Sequence, residues 1–214
     1  RDTVVLTKFC SQVRVPEEAV GRQFFEEMGY RVVEPPYCFE GEAELKHLHD
    51  NVYAGGHGIR SDAAAHDWMM DEFDMHVVKL RETEPHLYHL DCTVFPLTRE
   101  STLFCTEMYS RDEVRHMEAV TNIIDVTVDE CFSGICNTVR LGNTLLNASN
   151  IHEMSRSDPH YEEELTKNRK LEDIATRNAF EVAFFNLDEF LKSGALLSCM
   201  VMHLNRKSYD LALM

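Results

Sequence analysis

The sequence predicts an α/β fold built from repeated strand–helix–strand units arranged around a common axis. Three observations carry this reading. Four short segments are alike: RDTVVLTKF from position 1, DNVYAGGHG from 50, ESTLFCTEM from 100 and GNTLLNASN from 142, each a polar turn followed by an apolar strand. Each leads into a stretch with helical marks and then a second strand. One further strand links each unit to the next, and the resulting period of roughly 50 residues lies in the range where repeats form rings or arrays.

In the first unit Val20, Phe24, Phe25 and Met28 fall at helical spacing behind Pro16, and a strand follows at Arg31–Val33. The second helix runs from a Ser61/Asp62 cap to Phe73, with the strand HVVKL at 76–80. The third opens on a capping box, Ser110 with Glu113 three residues on, and closes in NIIDV. The fourth helix is longer, Pro159 to about Asn178, before EVAFF at 181–185. The linking strands are YCFEGEAEL, YHLDCTVFPL, CNTVRLG and ALLSCMVMHL. Residues 1–214 are read as one domain. The first unit starts without its linking strand, so the N-terminal repeat is expected to be incomplete.

A composition of 44% hydrophobic and 27% charged residues is ordinary for a chain that buries a core. The net charge of −16 argues against nucleic-acid or anionic-membrane partners and favours cationic small molecules. Seven cysteines without paired spacing fit reduced thiols in the cytoplasm, where the sequon Asn147-Ala148-Ser149 would be silent. There is no apolar run of about 18 residues and no charged-then-apolar leader, so a soluble cytoplasmic protein is expected. No cofactor or metal is expected either. The Gly-rich AGGHGIR segment (54–60) lacks Gly-Lys-Ser/Thr, and His47 and His49 in KHLHD have no further ligands at a recognised spacing.

The linking strands carry polar residues at matching places: Glu40, the His89/Asp91 pair, Asn137 and Cys199, successively 49, 48 and 62 residues apart. In a strand, residues i and i+2 share a face, so His89 and Asp91 are expected to point one way. Around an axis, these positions would converge. Singly each has a plain explanation: a cysteine in an apolar run is usually core, and Glu40 before Gly41 suits a turn. Together they describe chemistry on a carbon flanked by nitrogens. Cys199 would attack as thiolate, Glu40 and Asp91 would clamp a planar cation such as a guanidinium, and His89 would exchange protons with the leaving and entering groups. Arg60, just ahead of the second helix, is placed to meet a substrate carboxylate or simply to be solvated. The mixed-charge segment 152–178 is read as an exposed helix that could serve as the contact of a homodimer.

At FEGEAEL (39–45), GHGIRSDAAAH (56–66), YHLD (88–91), CNTV (136–139) and SGALLSC (193–199), the sequence resembles the amidinotransferase and dimethylarginine dimethylaminohydrolase family, which includes arginine deiminase. The resemblance runs in register along essentially the whole chain. It implies the pentein fold, a five-bladed α/β propeller of ββαβ units with a central active site. It also implies that Cys199 is the nucleophile, His89 the general acid/base, Asp91 a guanidinium-binding carboxylate and Glu40 the carboxylate paired with this apparatus. Water attack on the family's S-amidino intermediate makes a hydrolase; amine attack makes an amidinotransferase. A catalytically silent arginine-binding member is the third expectation. Two departures stand out. Hydrolases of the family often have Glu/Asp-Gly-Gly-Asp where this chain has Glu40-Gly41-Glu42-Ala43-Glu44, and a further acidic residue of the family lies in the N-terminal blade.

Overall fold

The computed structural model describes residues 3–204. They fall into two compact units. One comprises the chain up to Leu90 together with Arg111–Val120, and the other Asp91–Ser110 with the chain from Thr121 onward.

In the first unit, strand β1 (Thr3–Val5) leads through helix α1 (Pro16–Glu27) to β2 (Arg31–Val33), which pairs parallel to β1. Pro16 stands in the first turn, where the missing N–H has no intrahelical partner to lose. The apolar spacing expected of α1 is real, yet only Phe25 is buried, while Val20, Phe24 and Met28 remain exposed. Strand β3 (Leu45–His49) runs antiparallel to β4 (Val52–His57), and β4 pairs parallel to β5 (His76–Arg81) across helix α2 (Ala63–Phe73). Ala65 and Met69 of α2 pack on Phe39, with Val5, Leu45 and Trp68 around them. Helix α3 (Arg111–Glu118) adds to this unit through Glu113, whose Oε1 accepts the Arg81 N–H at 2.7 Å.

The second unit repeats the pattern twice. Strand β6 (Val94–Pro96) is antiparallel to β7 (Ser101–Phe104), which is parallel to β8 (Asn122–Asp125). After the short helix α4 (Val128–Phe132), β9 (Val139–Leu141) is antiparallel to β10 (Thr144–Ala148), which is parallel to β11 (Glu181–Phe185) across helix α5 (Tyr161–Arg177). A last short helix, α6 (Asp188–Leu191), follows. Helix α4 carries a capping box of its own, in which Glu130 N donates to Thr127 Oγ1 at 3.3 Å and Thr127 N donates to Glu130 Oε2 at 2.8 Å. Three sheets thus show the ββαβ order read from the sequence, and the β1–β2 sheet has two strands among the described residues.

None of the four linking segments is a strand at its polar residue: Glu40 stands before a 3-10 turn at Gly41–Ala43, Asn137 lies ahead of β9, and the other two are turns as well. Of residues 88–97 only Val94–Pro96 is extended, and Leu90–Cys92 makes a single 3-10 turn, so His89 and Asp91 do not share a strand face. Near the other end of the described chain, Ser198–Met200 is likewise a 3-10 turn rather than part of a strand. The cause is common to both. The Leu90 N–H donates to Glu44 Oε2 at 3.2 Å and the Ser198 N–H to Asn137 Oδ1 at 2.8 Å, so side chains take the donors that a ladder would use.

Candidate active site

The first unit assembles a charged cluster around Glu40. The Phe39 strand position is fixed by a two-way bridge with Lys8, and the Glu40 N–H donates to Ser61 Oγ at 3.0 Å. The Glu40 carboxylate, fully buried, accepts from His89 Nε2 at 2.8 Å and lies 3.5 Å from Arg60 Nη1 and 3.8 Å from Arg14 Nη1. Burial would raise this carboxyl, but the His89 hydrogen bond and the charges of His89, Arg60 and Arg14 outweigh it and hold it below the ordinary carboxylate value. The Tyr88 ring backs the arrangement, with the Arg60 guanidinium 4.6 Å above it and the His89 ring 4.7 Å away. Arg60 is therefore half of a pair; Arg14, which the sequence did not single out, is the other.

Glu44, the last acidic residue of the Glu40-Gly41-Glu42-Ala43-Glu44 run, also lies in this cluster. Its carboxylate is buried and receives the Leu90 N–H, so it shapes the backbone directly after His89. Gly56 makes this possible. A Cβ there would collide with Glu44 Oε2 and lie 2.8 Å from Glu82 Oε1 and 2.9 Å from Leu90 Cβ. Gly56→Ala should therefore destabilise the protein by about 2 kcal/mol or more, as overpacking typically does, read as a lowered denaturant midpoint. Turnover should fall as well, because Glu44 is displaced from Leu90.

In the second unit, Asp91 is buried at 1% exposure. Its Oδ2 accepts from Ser198 Oγ and, at 3.7 Å, from the Cys199 thiol, while the Asn137 amide N–H donates to the Cys199 sulfur at 3.4 Å. Gly134 (φ +81) lets the cysteine segment approach, since a Cβ there would lie 2.5 Å from Leu196 Cδ1. Sequence spacing thus picked out Asp91, Asn137 and Cys199 together, although it missed Ser198.

Of the seven cysteines, none of which is in a disulfide, Cys10 and Cys199 are exposed. Burial of its sulfur and the neighbouring Cys38 thiol push Cys10 up to about 12, so it stays protonated in ordinary buffers. His47 and His49 spend ring nitrogens on Asp50 O at 3.0 Å and Val120 O at 2.9 Å. Among the described residues no three His, Cys, Asp or Glu side chains group as a metal site requires, and no helix is long and apolar enough to cross a membrane. Asn147 of the sequon is fully buried, which removes it from any modifying enzyme once the chain has folded.

AgrE of Nostoc sp., a bifunctional arginine dihydrolase/ornithine cyclodeaminase, is 27% identical over 215 residues, covering 98% of this chain and 28% of that protein. The N-terminal domain of ArgZ, an arginine dihydrolase from Cyanobacteria solved with bound product, superimposes with a TM-score of 0.82 at 25% identity, covering 96% of this chain and 71% of that domain. The same domain covalently bound to a reaction intermediate gives 0.80 at 26% identity over 94% of this chain and 70% of that one. The chain spans little more than a quarter of the length of the bifunctional relatives it matches. A dimethylarginine dimethylaminohydrolase structure, 16% identical with a TM-score of 0.63 over 92% of this chain and 71% of that one, shares the fold. These likenesses bear out the pentein-type α/β class read from the sequence. Residues 3–206 match the eukaryotic N,N dimethylarginine dimethylhydrolase family, and the chain belongs to it.

Proposed function

We propose that this chain is a hydrolase acting on the guanidinium carbon of arginine or an N-methylated arginine, through an amidino group carried on Cys199. The observation that carries the reading is the exposed Cys199 thiol lying 3.7 Å from the buried carboxylate of Asp91. A carboxylate beside a thiol disfavours the thiolate, so the nucleophile forms only when a cation arrives to neutralise the pair. A planar guanidinium is such a cation, and it offers N–H donors in the geometry a carboxylate accepts. It is also the group on which the related arginine dihydrolases act, one of them solved as a covalent intermediate.

The steps follow. As the thiol proton leaves to solvent, the Cys199 sulfur forms a bond to the guanidinium carbon, giving a tetrahedral adduct. The bond to the departing nitrogen breaks as His89 gives that nitrogen a proton, leaving an amidino group on sulfur. His89 then takes a proton from water, whose oxygen bonds to the same carbon; the carbon–sulfur bond breaks as the adduct's remaining hydroxyl proton passes to the departing sulfur, restoring the thiol and releasing a ureido product. Glu40 accepts from one ring nitrogen of His89 and stabilises the imidazolium, leaving the other nitrogen for the reactants. Arg60 and Arg14 are positive groups suited to the carboxylate of an amino-acid substrate.

The test is incubation with arginine, monomethylarginine and asymmetric dimethylarginine, assaying ammonia, methylamine, dimethylamine and citrulline, with mass spectrometry of the Cys199 peptide after acid quench. Release of amine with citrulline and an amidino adduct on Cys199 is expected. Transfer of the amidino group to added glycine or ornithine would make the chain a transferase. Binding of arginine without adduct or product would overturn catalysis altogether.

A further inference from the structure

We propose that Asn137 is a positioning residue for Cys199, its amide N–H stabilising the thiolate and its amide oxygen fixing the turn that carries the sulfur. The inference rests on Cys199 being the nucleophile. It begins with a hydrogen-bond identity that leaves no choice of orientation. The Ser198 N–H can only donate, so the Asn137 oxygen must face it, at 2.8 Å. The Asn137 NH2 group is thereby turned toward Cys199, with Nδ2 3.4 Å from the sulfur. One planar side chain, 2% exposed, holds two successive residues of the turn by its two ends.

The two ends do different work when the thiol ionises. In the neutral state the thiol proton points to Asp91 Oδ2. Once that proton leaves, the carboxylate repels the sulfur, whereas the amide N–H becomes a hydrogen bond to a charged acceptor and strengthens. Asn137 thus opposes Asp91 in the one step where opposition matters.

The amide is held in place from behind. The Asn137 N–H donates to Gly134 O at 3.1 Å, and Thr138 Oγ1 donates to Ile135 O at 2.8 Å. Asn147 Nδ2 donates to Gly134 O at 2.9 Å and Thr138 Oγ1 at 2.8 Å, and Lys167 Nζ donates to Asn147 Oδ1 at 3.2 Å. The turn from Gly134 to Thr138 is therefore tied into a buried polar network of β10 and α5 and cannot swing freely.

Asn137→Asp and Asn137→Ala separate the two functions. Aspartate keeps an acceptor for the Ser198 N–H and loses the donor to sulfur; alanine loses both. The measurement is the rate of Cys199 alkylation by iodoacetamide from pH 6 to 10, followed on the Cys199 peptide, which reads the thiol whether or not the chain turns over substrate. The midpoint should rise by more than one unit in N137D, which both removes the hydrogen bond to the charged sulfur and sets a second carboxylate beside it, and burial of that carboxylate should lower the melting temperature. N137A removes the donor without adding a charge, so it isolates the hydrogen bond; it should raise the midpoint by about one unit, less than N137D, and lower the melting temperature through loss of the Ser198 contact. In the unmutated protein the Asn137 side-chain NH2 resonances should move with the thiol midpoint. A folded N137A with an unchanged midpoint, or NH2 resonances indifferent to the titration, would overturn the assignment. Failure of the nucleophile reading looks different: turnover would survive loss of Cys199 while the alkylation shifts remained.

Discussion

Cys199→Ala is expected to abolish amine release from arginine and methylarginines, a loss on the order of a million-fold if Cys199 acts with its partners as one unit, as nucleophiles of covalent enzymes do. The melting temperature should change little, because the Cys199 residue is exposed and the Asn137–Ser198 and Ser198–Asp91 hydrogen bonds that hold the turn do not involve its sulfur. Binding should persist, since Asp91 keeps its buried carboxylate and Ser198 still donates to it. Calorimetry with arginine, ammonia assay and mass spectrometry of the 193–204 segment together check all three. Undiminished turnover in the variant would exclude the covalent route.

His89→Ala comes second in size. Loss of general acid and base together should cost at least the 10²–10⁴-fold typical of such catalysis, in about that range for each half-reaction. Glu40→Gln isolates the electrostatic part. The amide oxygen can still accept from His89 Nε2, but the negative charge facing Arg60 and Arg14 is gone; because both guanidiniums reach solvent, the loss of stability should stay below that of breaking a fully buried pair. The sign of the pH dependence follows from the lowered Glu40 carboxyl. Its stabilisation is fully present above the range where an unfolded carboxyl titrates, and is lost as pH falls through the lower value it has in the folded protein. Denaturant midpoints measured from pH 7 down to pH 3 should therefore decline less steeply in E40Q than in the unmutated chain. Equal slopes would mean that Glu40 is not held ionised by its neighbours.

The repeat was legible because it is written in apolar runs and helix caps, which depend on local sequence. Strands at 101–104 and 144–148 and the helices after Pro16 and Asp62 fall where those signals put them. Glu40, Asp91, Asn137 and Cys199 were legible for a related reason: they recur at one place in the repeat. The local geometry that presents them was not. His89 and Cys199 sit beside or on tight turns because Glu44 and Asn137, 46 and 61 residues away along the chain from Leu90 and Ser198, capture backbone N–H groups, and no window of sequence shows an acceptor that distant. Arg14 was missed because an arginine ahead of Pro16 looks like a solvated helix flank; only the fold brings it to Glu40.

Lys167 offers a use of its own. Its ammonium is sealed under α5, bonded to Asn147, Ala148 O and Glu164, and burial lowers its basicity against the opposing pull of Glu164. Reductive methylation or acetylation of the native protein should spare it while surface lysines react. The rate at which it eventually acquires a label then clocks the rare openings of the framework behind Cys199, giving a residue-resolved stopwatch for breathing that needs no mutation.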